Sequence, residues 1–279
     1  MLLDFLYALS APVAALLIVA GMVALSVGGL LLAHRLVPHA LRRSHNDVAG
    51  VLISLVGVVY AVLLAFIAVA VWQEYNDADA IVHREASFAG DIHQDAVDMR
   101  GPAADELRRL VQRYLEIVIH DEWPAMREGR TANHAQSTLD SMQSTLLGYD
   151  FRGPLFSDVL SRVNALADAR RDRLINANSG LQPVAWFVLL AGAALTILFC
   201  YLFGVPDLRL HAVMTALVAA SIALVIFLIV AFDYPFRGDA GLEPTAFKAV
   251  LDHVRKQEAK LATEPLPQPT PDPELEPAP

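Results

Sequence analysis

The chain reads as an all-α integral membrane protein with four transmembrane helices and an antiparallel four-helix extramembrane bundle inserted between the second and third spans. Three observations predict this. Of 279 residues, 55% are hydrophobic and only 18% charged, too apolar for an ordinary soluble domain. Four runs, at 11–33, 48–72, 184–203 and 210–232, hold no Asp, Glu, Lys or Arg and approach or exceed the roughly 20 residues that cross hydrocarbon. Between the second and third runs, 73–183 changes to charged sequence with apolar residues every three or four positions, punctuated by Gly and Pro.

The N-terminal tail, 1–10, has Asp4 and no basic residue, so the first apolar run reads as a retained span rather than a cleavable leader. Within that span Ala20, Ala24 and Gly28 lie four apart, a spacing that lets helix backbones approach closely in lipid. The basic loop 34–47 follows, with Arg35, Arg42, Arg43, His34, His39 and His45. The histidine spacing of five and six matches no compact zinc pattern, so these residues read as a surface at headgroup level.

The second span carries a stripe of small residues at Gly50, Ser54, Gly57, Ala61, Ala65 and Ala68. Ser54, Gly57, Ala61 and Ala65 are therefore candidates for a packing face within the subunit or for a face lining a pore or oligomer axis. No break signal separates this span from the amphipathic run through Tyr75, Ala78, Val82, Ala86, Ala89, Ile92, Ala96 and Met99. One continuous rod leaves the bilayer, on the order of 75 Å long, and Gly101-Pro102 stops it.

Three further helices complete the predicted bundle. The first has Leu107, Leu110, Val111, Tyr114, Ile117 and Val118 on one face and ends at Pro124. Another starts at Thr131, turns Ala135, Leu139, Met142 and Leu146 inward and stops at Gly148; the last runs from Pro154 through Phe156, Val159, Val163, Leu166 and Leu174. Four alternating helices return the chain to the bilayer. The last two spans form a hairpin across the short loop 204–209. The segment 233–262 then holds DYPFRG and an amphipathic helix with Phe247, Val250, Leu251 and Val254 on one side, and 263–279 is an acidic, proline-rich tail of disordered composition.

Four spans put the bundle and both termini on one face. The arginines of the short loops, Arg35, Arg42, Arg43 and Arg209, favour an extracytoplasmic bundle by the positive-inside rule, in the cell (inner) membrane. Arg170, Arg171, Arg173 and Arg237 count against it, so the lean is slight. A net charge of −9 argues against a nucleic-acid partner. The expected partners are the lipid bilayer and further copies of the chain.

The sequence holds no metalloprotease, CxxC, nucleophile-elbow, P-loop or dinucleotide fingerprint, and it is read as a non-enzyme with no catalytic residues and no cofactor. The acids of DADA and the pair His83 and Glu85 are read as a solvated helix face. The spans lack the mid-membrane charge that proton pumps and ion-coupled transporters need. A channel gated by an apolar constriction, with hydroxyls such as Ser54, Thr196, Thr215 and Ser221, stays open.

HNDVAG leading into GVVYAVLLAFIAVAVWQEYNDAD, then HREAS, EWPAMREG and DYPFRGDAGLEP, resemble the bestrophin-like family of bacterial and plant membrane proteins over about 45–247. More remotely, the layout resembles bestrophins, pentameric anion channels with four spans and a Pro-Phe segment after the fourth, matched here by Pro235 and Phe236. The resemblance implies a functional segment at Asp233, Pro235, Phe236 and Gly238, and a cytoplasmic bundle. Bestrophins hold calcium after their Pro-Phe pair. Only Asp239 and Glu243 follow closely here, weak candidates against the six to eight oxygens calcium takes, so no metal site is assigned. Two readings follow: a homo-oligomeric ion channel with second spans around the axis, or a non-conducting sensor or scaffold whose bundle binds a ligand or partner.

Overall fold

The structure is a computed structural model that describes residues 2–36, 46–99, 101–131, 133–148 and 154–263. The loop residues Arg42, Arg43, His39 and His45, and the acidic tail, lie outside the described residues. Those described form helices α1 (Leu2–Tyr7), α2 (Ala11–Leu36), α3 (Asn46–Asp98) and α4 (Pro102–Ile117), then a π-helical turn (Val118–Glu122). There follow α5 (Trp123–Arg127), α6 (Gln136–Gly148), α7 (Pro154–Asn178), α8 (Pro183–Tyr201), α9 (Leu208–Asp233) and α10 (Thr245–Thr263).

Four of these helical segments are long and apolar enough to cross a membrane, and the chain is a multi-pass membrane protein. They are not equally enclosed: the apolar window of α9 is 39% buried, those of α2 and α3 only 11%. The fourth span is the centre of the intramembrane packing, lying along α2 over much of its length, and the second span stands at the edge. Tyr60 of α3 anchors that edge. Its hydroxyl donates to the Leu189 carbonyl at 3.0 Å, and Gly192 makes room for its ring, since a Cβ there would come within 2.4 Å of it. Ala20, Ala24 and Gly28 of α2 are exposed. The close approach on that helix is one residue further on, at Gly29, which faces Tyr201, whose hydroxyl donates to Ser26 O at 2.8 Å.

The rod α3 is one helix of 53 residues. Its outer half buries Ala78, Val82, Ala86, Ala89, Ile92 and Ala96 in a core shared with α4, the π turn, α6, α7 and α10. Alanine dominates this stripe because α4, α7 and α10 all pack on it, and short side chains let three helices close on one. Pro124 does not end its helix. It is the second residue of α5, which follows the π turn, and the chain reverses only at Glu128 and Gly129 (φ 71°). The third bundle helix starts at Gln136 rather than Thr131.

The helix after the fourth span belongs to the same core. Phe247, Leu251 and Val254 of α10 are buried there, and beside them the buried His93 ring of α3 lies between Glu258 Oε1 (2.8 Å from Nε2) and Gln257 Oε1 (3.1 Å from Nδ1). At the rod's base Tyr75 packs on Phe232 at 4.8 Å. On the far face, Asn46 accepts from Gly204 N at 2.8 Å, which ties the start of the rod to the α8–α9 loop.

Candidate functional site

Small side chains along α3 would matter differently if the subunit covered them. It does not: Ser54, Ala61 and Ala65 are exposed and Gly57 is half-buried, while the face of α3 that packs within the subunit carries Tyr60, Leu64 and Val71. Ser54 Oγ is turned back onto the Gly50 carbonyl at 2.8 Å, so this face offers little free polarity. Gly57 and Ala61 also edge an apolar groove of about 410 Å³ between α3, α8 and α9, with Thr196 and Ser221 on its wall. Cys200 is half-buried in the same region.

The segment leaving the fourth span is a docked turn. Asp233, buried at the end of α9, accepts from Leu181 N at 2.5 Å and so fastens the link between α7 and α8. That link, 179–182, is a four-residue turn held by a carboxylate. Leu242 N donates to Pro235 O at 2.7 Å and closes the turn on itself. Phe236 is fully buried against Trp123, with ring centroids 5.5 Å apart and planes at 71°, an edge-to-face contact. Asp239 and Glu243 both face Arg127, at 3.9 and 3.4 Å, and Arg127 Nε donates to Gly238 O at 3.2 Å. A guanidinium stands where the two weak metal candidates converge. Among the described residues no cluster of three His, Cys, Asp or Glu could hold a metal ion.

The heart of the core packed on the outer half of α3 is ionic. Glu85 of α3 is not on a solvated face, as its spacing from His83 suggested, but fully buried. It accepts from Arg173 of α7 through Oε2 (2.6 Å to Nε) and Oε1 (3.0 Å to Nη2), and from the Tyr114 hydroxyl of α4 at 2.5 Å. Glu122, turned inward by the π turn, accepts from Arg173 Nη2 (2.8 Å), Arg170 Nη2 (2.6 Å) and Ala135 N (3.0 Å). Arg170 also donates to Gln136 and Asn133. Burial works to raise the Glu122 pKa, but the two guanidiniums outweigh it and hold the carboxyl below its ordinary value. Burial and the Glu85 charge push Tyr114 well up, so it remains a donor. Two carboxylates and two guanidiniums balance, which makes this a joint between helices rather than an anion site. Arg171 is exposed and paired with Asp168. Arg170, Arg171 and Arg173 are therefore each paired with a carboxylate.

A family model described as the bestrophin-like domain matches residues 20–247. No curated protein matches the chain. A crystal structure of a bacterial bestrophin homologue from Klebsiella pneumoniae, in a point-mutant form, superposes with a TM-score of 0.64 at 12% identity over 88% of this chain and 99% of that one. A second mutant of the homologue gives 0.65 at 14% identity, over 88% and 98%. A mutant structure described only as a membrane protein gives 0.66 at 12% identity, over 88% and 99%. At such identities the likeness is one of fold.

Proposed function

This chain belongs to the bestrophin-like family, and on that premise we propose that it is the subunit of a homo-oligomeric ion channel. The observation that carries the reading is the uncovered face of the second span. Ser54, Gly57, Ala61 and Ala65 are small, and their own subunit leaves Ser54, Ala61 and Ala65 open and covers Gly57 only in part, while the fourth span takes the interior. Copies of α3 around an axis would bring these residues together in a narrow, mostly apolar constriction, which gates by dewetting. Residues 73–183 form the antiparallel extramembrane bundle, and Asp233, Pro235, Phe236 and Gly238 join it to the membrane half. In proteoliposomes the purified protein gives ion flux above that of empty vesicles, and Ala61→Trp lowers it at least about tenfold by filling the constriction. Ala61 is exposed in the subunit, so the indole disturbs no internal core. Flux equal to empty vesicles over several pH and calcium conditions would overturn the reading.

A second reading, a non-conducting sensor or scaffold, is favoured by the unbroken 53-residue rod, which would carry a displacement rigidly from bundle to bilayer. Topology separates the two. With Cys200 replaced by serine and a cysteine at exposed Ser141 of α6, a membrane-impermeant maleimide labels intact cells if the bundle is extracytoplasmic, as the loop arginines favour. Protection lost on lysis puts the bundle in the cytoplasm, overturns the charge count and favours the channel.

A further inference from the structure

The helix after the fourth span is fastened to the rod at two places, and the second has the chemistry of a switch. At the first, Phe247, Leu251 and Val254 of α10 enter the shared apolar core. Gly90 of α3 lets the two helices close there, since a Cβ on it would stand 3.3 Å from Val250. One turn further along the rod the contact becomes polar. His93 is fully buried, and both of its ring nitrogens face oxygens of α10: Nε2 the Glu258 carboxylate at 2.8 Å, Nδ1 the Gln257 side-chain oxygen at 3.1 Å. The Gln257 amide nitrogen is taken up elsewhere, donating to Gln94 Oε1 at 2.7 Å. A carboxylate and an amide oxygen accept and do not donate, so in this arrangement both ring nitrogens donate. A ring with two N–H groups is the imidazolium. The neutral ring keeps one of the two bonds and turns a lone pair toward the other oxygen, in a contact closed to water.

The surrounding charges point the same way. Glu258 Oε1 also lies 3.1 Å from Arg108 Nε of α4, and Arg108 Nη2 donates to Asp105 at 2.9 Å. Two carboxylates and one guanidinium thus stand around the ring on α10 and α4. With the imidazolium the group is neutral; with the uncharged ring it holds one negative charge in excess. The other charges nearby are engaged among themselves. Asp91 and Asp95 lie about 200° around the rod from His93 and face Arg162 of α7 at 3.9 and 3.3 Å. Arg255 of α10 meets Glu116 of α4 at 2.8 Å, a tie that involves no histidine.

We propose that His93 is a proton-operated clasp: with both ring nitrogens protonated it holds the outer half of α10 on the rod, and loss of one proton lets that half lift while the Phe247 end stays docked. The docked form binds the proton and the lifted form releases it. Docking therefore strengthens as pH falls through the range in which histidine titrates and weakens as pH rises through it. Because α10 follows directly on the turn that joins the fourth span to the core, the clasp puts the firmness of that seam under the control of pH. The inference does not depend on ion conduction, and either can fail alone.

The test is amide hydrogen exchange of the full chain in detergent at about pH 5.5 and about pH 8, on either side of the ordinary histidine range, with each rate corrected for the intrinsic exchange at that pH. Amides of α10 from His253 to Thr263 are protected at least about tenfold more at the lower pH, the equivalent of one unit in proton affinity; those before Leu251 differ less. His93→Gln, which stays polar but takes no proton, loses the difference, and Glu258→Gln loses most of it. Equal protection at both pH values, greater protection at the higher one, or a difference that survives in His93→Gln, where His253 and His120 remain, would each overturn the proposal. Nitrogen-15 spectra of the histidine-labelled wild type decide the matter even if a variant folds poorly. One histidine changes from two protonated ring nitrogens to one over the same pH interval in which α10 loses protection; no such coincidence would sink the clasp.

Discussion

Arg173→Met destabilises the helices packed on the outer half of α3 by about 3–5 kcal/mol, enough to unfold them under mild denaturant. The guanidinium is fully buried and is shared by Glu85 and Glu122, which have no access to water. Methionine keeps much of the volume but leaves Glu85 with only the Tyr114 hydroxyl and Glu122 with Arg170 and the Ala135 amide. Arg173→Lys does not rescue the joint, because one ammonium cannot reproduce the two-oxygen contact with Glu85 while also reaching Glu122. Replacing Glu85 and Arg173 together by leucine and methionine recovers a large part of the loss, since no unpaired charge is then left at that end. Amide exchange in α4 and α7 of the detergent-solubilised protein reads this directly. Exchange unchanged in Arg173→Met would mean that the network is incidental to the fold.

The same measurement followed down the pH scale has a definite sign. Glu122 is held below its unfolded value of 4.5, so its contribution to stability is fully present above that pH and is lost as pH falls through the lower folded value. Acid therefore loosens this core below about pH 4.5. In Glu122→Gln that part of the acid dependence disappears, and the variant is less stable at neutral pH. A variant with the wild-type acid profile would show that another carboxylate carries it.

The spans and the rod were legible because lipid demands long uncharged helices and a helix packed on one face demands a repeat of three and four; α3 and the faces of α4, α6 and α7 follow that repeat. The ionic joint was not, although its signal is present. On α7 the buried stripe Val159, Val163, Leu166 continues in the same rhythm to Arg170, Arg173 and Ala177; on the rod Ala78 and Val82 continue to Glu85 and Ala89. A charge standing on an apolar stripe, matched by an opposite charge on the stripe of another helix, predicts a buried pair. Reading Glu85 beside its sequence neighbour His83 hid that. The π turn had no comparable signal: its one extra residue per turn lets Glu122 and Trp123 both face inward, and local sequence does not announce it. The small-residue stripe on the second span was visible at once, whereas its exposure depends on which span takes the centre, a property of packing among all four.

Phe236→Ala costs about 3–5 kcal/mol and does so at the seam between the two halves of the molecule. Phe236 has no exposed surface, and its ring meets the edge of Trp123, whose indole also packs at 5.7 Å on Phe247 and donates to Leu242 O at 2.9 Å. Arg173 lies 5.8 Å from the Trp123 and Phe247 ring centroids, so the aromatic cluster and the ionic joint share a wall. Removing one ring from this cluster loosens the turn after the fourth span, then α10, before it affects any span. Amide exchange rises in α10 and around the π turn while α8 and α9 stay protected; a uniform rise, or none, would show that the segment is not the coupling element. A cycle of Phe236→Ala with Trp123→Ala gives a coupling of about 0.5–1.5 kcal/mol beyond burial. If that variant also keeps ion flux while Ala61→Trp abolishes it, the turn serves folding, and conduction rests on the second span alone.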